Sequence, residues 1–416
     1  MARGTDTSDP TVSVVIVSRG RPQELLRCLL GVSQLQYAPF EVVVVADPGG
    51  AAAVADSPFS ASVKCEVFDV PNISAARNIG IGHAAGEIIA FIDDDAVPEP
   101  QWLRYLTAPA KHPQVAAMGG FVRGRNGISF QWKAHRLDAQ GLAQAVDVDP
   151  ERATVLHPPP GTAIKTEGTN MAFRREVLVA LGGFDPAFHY FLDETDLNMR
   201  VARAGHATAI VPLAEVHHGF AANRTRSRDR VPSDLFDIGA SWAVFQRRHI
   251  PESERATHWE GQRNEQSRRA LRHMVGGGLE PRDVRLMRRL DDGYAAGYTR
   301  PLDKTGIAAH PKLAFKPFPA LRRPSELICT RPLTFRRDHR RAVERVKAGG
   351  IVTLLNLSAT ALYHDLRFTN NGFWLQNGGV FGRSDRDQPV FQLTTRVRRT
   401  LRERHRVAEQ RGLKGV

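Results

Sequence analysis

Asp93, Asp94 and Asp95 stand together directly after the apolar run EIIAFI. Adjacent carboxylates repel one another, so a folded chain that holds such a triplet in a crevice offsets it with a cation. Oxygen donors favour Mg2+ or Mn2+, ions that share their coordination with substrate phosphates. A solvated acidic turn is the bland alternative, and the buried strand just before the triplet weighs against it. A second cluster, Asp193, Glu194 and Asp196 in FLDETDLNMR, can supply a general base. From about Thr195 that segment has helical spacing, which makes Asp196 and Arg200 an i,i+4 pair worth ~0.2–0.5 kcal/mol if exposed. Asp193 and Glu194 then precede the helix, where one of them can aim into a crevice.

These groups need elements to carry them. TVSVVIVS, EVVVVA and EIIAFI are apolar runs rich in β-branched residues, the pattern of strands buried on both faces, and VKCEVFDV adds a fourth strand. PQELLRCLLGVSQL and ISAARNIGIGHAAG between them read as helices. Strand–helix alternation predicts a mainly parallel α/β sheet whose ligands sit at the carboxyl ends of the strands. Ser18-Arg19, Asp47 and Asp93–Asp95 all fall at those ends. A dinucleotide-binding fold would require G-x-G-x-x-G after the first strand, and SRGRPQE does not supply it.

Charge divides the chain. Residues 1–220 hold 18 Lys/Arg against 24 Asp/Glu, and the remainder holds 39 against 20. The acidic half suits a cation site; the basic half suits a polyanion, an anionic membrane surface, or simply a solvated arginine-rich face. Cys28, Cys65 and Cys329 are scattered without metal or disulfide spacing, which gives a cytoplasmic expectation. MARGTDTSDP lacks an apolar signal region, and no apolar run reaches membrane-spanning length.

Taken in order, VSVVIVSRGRP, EVVVVADPG, NISAARNIGIGHAAGEIIAFIDDDAVPEPQWL, GTNMAFRREVLVALGGFDPAF, FLDETDLNMRVARAG and VHH resemble the motif series of glycosyltransferase family 2 over residues 11–250. The resemblance implies a GT-A fold and inverting transfer from a nucleoside-diphosphate sugar, UDP favoured, to a surface-polysaccharide or lipid-linked glycan acceptor. It implies nucleotide contacts from Ser18, Arg19, Asp47, Arg77, Asn78, Asp93 and Asp94. Asp95, with Asp93, would hold Mn2+ or Mg2+, and a histidine of the pair His217-His218 would join them. Only one of two neighbouring histidines on an extended chain can face the metal, and His217 is the one expected here. Many family members carry two acids where this chain has Ala46-Asp47, which leaves the identity of the base open.

The same resemblance makes Glu194 the catalytic base and Asp193 its acidic neighbour. Gly168, Thr169, Asn170 and Asp196 are expected at the acceptor wall, the glycine and threonine allowing close approach and the asparagine bonding sugar hydroxyls. Trp102 and Trp132 are weaker candidates for stacking on a sugar ring.

Expected domains are a disordered N-terminus (1–10), the catalytic domain (11–250), a basic helical linker (251–319) and a small α/β unit (320–416) of unassigned role. In the last, ELICT and IVTLLNLS read as strands around a basic helix, and NNG reads as a hairpin turn. The amphipathic SWAVFQRRH could lie on an anionic membrane at the inner face of the cell, or pack on the sheet. No nucleic-acid motif is present. Two other readings stand: a sugar nucleotidyltransferase, which would release pyrophosphate, and a non-enzymatic protein that binds polyanions or membranes through its basic half.

Overall fold

Continuous β-branched runs become the centre of the sheet. The computed structural model describes residues 9–219, 221, 227, 229–302 and 306–414. In it β1 (Val12–Ser18), β2 (Phe40–Ala46), β3 (Lys64–Val67) and β4 (Ile88–Asp93) are parallel, in the order β3-β2-β1-β4. The connections are α1 (Pro22–Val32), α2 (Pro48–Ala55) and α3 (Ile73–His83). α1 starts at a proline and buries Leu25, Cys28, Leu29 and Val32, one stripe at helical spacing. The expected N-terminal disorder falls mostly on residues 1–8, outside the described residues. Pro10 is anchored, its carbonyl accepting from Tyr37 Oη at 2.5 Å.

Beyond β4 come the short β5 (Ala96–Pro98), α4 (Trp102–Thr107) and the long β6 (Val115–Arg123). Five short strands follow: β7 (Phe130–Trp132), β8 (His135–Leu137), β9 (Ala143–Ala145), β10 (Thr154–Leu156) and β11 (Ala163–Lys165). Next are β12 (Met171–Arg174), α5 (Arg175–Leu181), α6 (Asp193–Arg203) and β13 (Ala207–His218). β12 lies antiparallel between β4 and β6, and β13 runs parallel to β6, giving the order β10-β13-β6-β12-β4-β1-β2-β3. The α/β class expected from the sequence is therefore found: a mixed, mainly parallel sheet with helices on both faces.

α7 (Phe236–His249), α8 (Glu252–Val275) and α9 (Arg285–Thr299) follow. α7 buries Trp242, Val244 and Phe245, so SWAVFQRRH is a core helix and not a membrane-facing one. Residues 308–319 depart from the helical expectation. With 320–324 they run without helix or strand past the amino ends of β2 and β3, where Phe318 stacks on Phe40 at 5.3 Å and its N–H bonds the Phe40 carbonyl.

A second sheet uses β14 (Ser325–Thr330), β15 (Ile351–Ser358), β16 (Asp365–Phe368) and β17 (Trp374–Gly379), in the order β14-β15-β17-β16. β16 and β17 form the antiparallel hairpin that NNG signals, turning at Gly372 with φ 80°. α10 (Phe335–Lys347) packs on this sheet, and α11 (Arg396–Arg411) leads back to β13 of the first sheet.

Candidate active site

The carboxyl ends of β1, β2 and β4 open into a cleft of about 220 Å³ lined by Ser18, Arg19, Phe68, Asp93, Asp95 and Tyr190, among others. The three consecutive aspartates have different surroundings. Asp94 is fully buried, accepts from Ser18 Oγ at 2.7 Å and pairs with Arg21 at 2.7 Å. Burial pushes its carboxyl up to about 8 against the pull of Arg21. Asp94 is thus held by the protein and does not line the cleft. Asp95 is buried too, which alone would raise it. His218 Nε2 at 3.2 Å, Arg21 at 3.4 Å and the Ala221 N–H at 2.7 Å outweigh that and hold it below the usual carboxylate range. Asp93 keeps 31% of its side chain exposed and lies 3.5 Å from Arg77.

Oxygens of Asp93 and Asp95 and a ring nitrogen of His218 all lie within 4.8 Å of one another. Two carboxylates and an imidazole on an open cleft fit Mn2+ or Mg2+ with positions left for phosphate and water. The other ring nitrogen of His218 is 2.9 Å from the Gln131 amide, a contact that orients the ring. His217 needs correcting, because strand alternation turns it to the opposite face. There its Nε2 is 2.8 Å from Glu99. Glu99, Glu215 and His217 also cluster, but Arg411 and Arg123 already neutralise the two glutamates. That group is an ion-pair network with no charge left for a cation.

Arg19 pairs with Asp69 at 3.0 Å on the rim. Asp47 caps α2, accepting from Gly50 N at 3.2 Å, and stands beside the cleft without lining it. Asn78 departs from expectation: its amide donates to the Phe184 carbonyl and accepts the Phe184 N–H, latching the loop after α5. Arg77 is a buried hub that joins Asp193, Asp93 and, at 3.1 Å, the Gly168 carbonyl. A Cβ on Gly168 would lie 2.7 Å from the Arg77 guanidinium, so the glycine makes room for the arginine.

Phe191 and Leu192 both have left-handed backbones, φ 71° and 66°, directly before Asp193 and Glu194. Two such non-glycine residues in succession are costly and occur where surrounding structure enforces them, commonly at functional sites. They deliver Glu194 into a second cavity, about 590 Å³, with Trp132, Lys165, Glu167 and Tyr190 on its walls. Tyr190 borders both cavities. Lys165 Nζ lies 3.2 Å from Glu194, 3.4 Å from Glu167 and 5.2 Å over the Trp132 ring. Burial would raise Glu194, but Lys165 and Arg77 hold it low. Burial lifts Asp193 and Glu167 to about 7 each, against the pull of Arg77 and Lys165 respectively.

Asn170, Asp196 and Thr169, expected at an acceptor wall, lie inside the fold. Asn170 is fully buried and saturated: Nδ2 donates to the carbonyls of Phe121 and Ala214, and Oδ1 accepts from Trp102 Nε1 at 2.8 Å. It ties β6 to β13 where their register shifts between Val211 and Val216. Asp196 is likewise internal, bonded to Arg200 and at 2.8 Å to His249. Thr169 is buried as well, and Trp102 is core.

Arg21, Lys165, Glu167 and Tyr190 escaped the sequence reading. The first lies in the SRGRP segment, and Lys165-Thr166-Glu167 sets two opposite charges on one face of an extended segment, a faint signal for a strand that faces a polar cavity.

A family model described as glycosyltransferase like family 2 matches residues 10–231. The pre-mycofactocin glycosyltransferase of Mycobacterium tuberculosis is 29% identical over 246 residues, 57% of this chain and 48% of that protein. The O-antigen biosynthesis protein RfbC of Myxococcus xanthus is 27% identical over 257 residues, 58% of this chain and 19% of that one. The glucosyl-dolichyl phosphate glucuronosyltransferase of Haloferax volcanii is 31% identical over 116 residues, 27% and 34% of the two chains. The matches span about half or less of these relatives' lengths.

Proposed function

The chain belongs to glycosyltransferase family 2, and on that footing we propose that it moves a sugar, with inversion, from a nucleoside diphosphate to a hydroxyl of a surface-polysaccharide or lipid-linked glycan. UDP is the favoured donor nucleotide. The observation that carries this reading is the pair of carboxylate centres in adjoining cavities, Asp93/Asp95 in one and Glu194 in the other, with Arg77 touching Asp93 and Asp193 between them. Inverting transfer needs such a division. One centre neutralises the leaving diphosphate, and the other takes the proton of the attacking hydroxyl on the far side of the anomeric carbon.

Asp93, Asp95 and His218 would hold Mn2+ or Mg2+, which when bound supplies positive charge to the leaving diphosphate. Ser18 and Arg19 line the nucleotide cleft, with Asp47 at its edge for base recognition. Lys165 keeps Glu194 ionised and therefore able to accept a proton. Asp193, fixed by Arg77, orients the turn that carries Glu194. Trp132 and Tyr190 put aromatic side chains on the cavity that would take an acceptor sugar. A nucleotidyltransferase or a polyanion-binding protein would have no use for the Lys165–Glu194 centre. The basic second half supports peripheral contact with an anionic membrane surface, and among the described residues no helix is long and apolar enough to cross a membrane.

Calorimetry with UDP, GDP and dTDP, with and without Mn2+, tests the donor half. Metal-dependent binding of one nucleotide, abolished in Asp95→Ala, is expected. Glu194→Gln should bind that nucleotide normally and fail in transfer. Full transfer activity in Glu194→Gln would remove the assignment of the base.

A further inference from the structure

Residues 320–416 lie beyond the family match, yet their last helix ends against the segment that follows the aspartate triplet. Arg411, at the end of α11, is completely buried. Its Nε and Nη2 donate to Glu99 at 2.9 and 2.7 Å, Nη1 donates to Thr353 Oγ1 at 2.8 Å, and the guanidinium lies 4.4 Å over the Trp374 ring. The Gln410 carbonyl accepts from Gln101 N at 2.9 Å. Glu99 also bonds His217, whose ring packs 4.6 Å from Trp374.

β5 and the end of β13 form a short ribbon, with His217 opposite Val97 and His218 opposite Ala96. One face of the ribbon presents His218 to Asp95; the other presents His217 to Glu99 and Arg411. Groups behind a ligating side chain fix its position and tune the ion it holds. The back of this ribbon is held by a charged, bidentate contact, the strongest geometry available to an arginine and a carboxylate. That contact comes from a separate sheet-and-helix unit.

We propose that Arg411 is a positioning residue for the Asp93–Asp95–His218 cation site, through which the C-terminal unit sets that site's affinity for a divalent ion. The proposal rests on the reading of this cluster as the donor-metal site. Without the guanidinium, a buried Glu99 is left with an imidazole and must relocate, taking the ribbon with it.

The test is Mn2+ titration of the full chain without nucleotide, with free ion followed by electron paramagnetic resonance and folding by thermal melts. Arg411→Met should weaken Mn2+ binding about 10–100-fold, and Arg411→Lys, which keeps the charge and loses the fork, should fall between it and the native chain. A folded Arg411→Met protein with native Mn2+ affinity overturns the proposal, even if its melting temperature drops. Should Arg411→Met fail to fold, His217→Phe cuts the same line while sparing the Arg411–Glu99 pair; weaker binding supports the proposal and native binding overturns it. A native chain that binds Mn2+, loses it in Asp95→Ala and is untouched by Arg411→Met leaves the metal site standing and removes only the brace. A native chain that binds no Mn2+, either alone or with UDP, removes both.

Discussion

Arg77 on α3 and Asp193 at the start of α6 form a buried ion pair across 116 positions of sequence. The same guanidinium reaches Asp93 and the Gly168 carbonyl, so one side chain touches both carboxylate centres and the loop between them. Arg77→Lys keeps the charge but cannot span three partners. Turnover should fall about 10²-fold, the scale of an ångström-sized misplacement of reacting groups. Arg77→Met should also lose about 3–5 kcal/mol of stability, because it strands Asp193. Melting curves and initial rates measured side by side check both; native turnover in Arg77→Lys would contradict the role.

Lys165 should tune the base. Lys165 lowers Glu194, the proposed base, and a carboxylate accepts a proton only when ionised, so removing the ammonium raises the pKa that the pH must exceed for Glu194 to act. Lys165→Met should therefore move the acid limb of the kcat/KM profile to higher pH, with the largest losses in acid. An acid limb that stays where it was would separate Lys165 from the base.

Asn170 belongs to the fold. Asn170→Ala orphans two carbonyls and the Trp102 N–H, at about 1–3 kcal/mol for each buried group left unpaired. The expected result is a lower melting temperature with an unchanged KM for acceptor. A selective rise in that KM would return the residue to the acceptor wall.

Acid should loosen the C-terminal sheet. His364 is buried against Arg399 at 2.8 Å; burial, then that cation, lower it to about 4 even though Glu403 pulls the other way. The unfolded chain takes up that proton near 6.5, so stability falls as pH drops from about 6.5 to 4. Glu403 is held at about 2: burial would raise it, but Arg406 and the Ser384 hydroxyl more than offset that. Its contribution is complete above the ordinary glutamate range and disappears as pH falls towards 2. Both slopes have the same sign, and Trp374 fluorescence across a pH series of thermal melts should report them. His364→Gln should flatten the first.

Much of this was legible in the chain. β1, β2 and β4 are buried on both faces, and their short length and β-branched content mark them as strands; the Asn370-Asn371-Gly372 turn announced its hairpin, and the aspartate triplet lay at the end of a strand. The choice between His217 and His218 was not legible, because it follows from β5 pairing and from Glu99 meeting an arginine 312 positions away. Asn170 and Asp196 read as acceptor-wall residues until Phe121, Ala214 and His249 close over them. Lys165 and Glu194 are 29 residues apart on different elements, and only the packing of α6 on β11 makes them a pair.

The extended segment 308–324 has a practical meaning for anyone trimming this protein. Glu41 is completely buried in β2, bonded to Ser13, to Lys64 at 2.8 Å and, from outside the family match, to the Lys316 N–H at 2.8 Å. Lys316 Nζ also reaches the Val63 carbonyl, while Phe318 covers Phe40. A fragment cut where the family match stops, at 231, would bare an aromatic face at the amino end of β2 and remove a hydrogen bond from a buried carboxylate. Such a fragment is set to clump during expression, so the shortest piece worth purifying extends past Phe318.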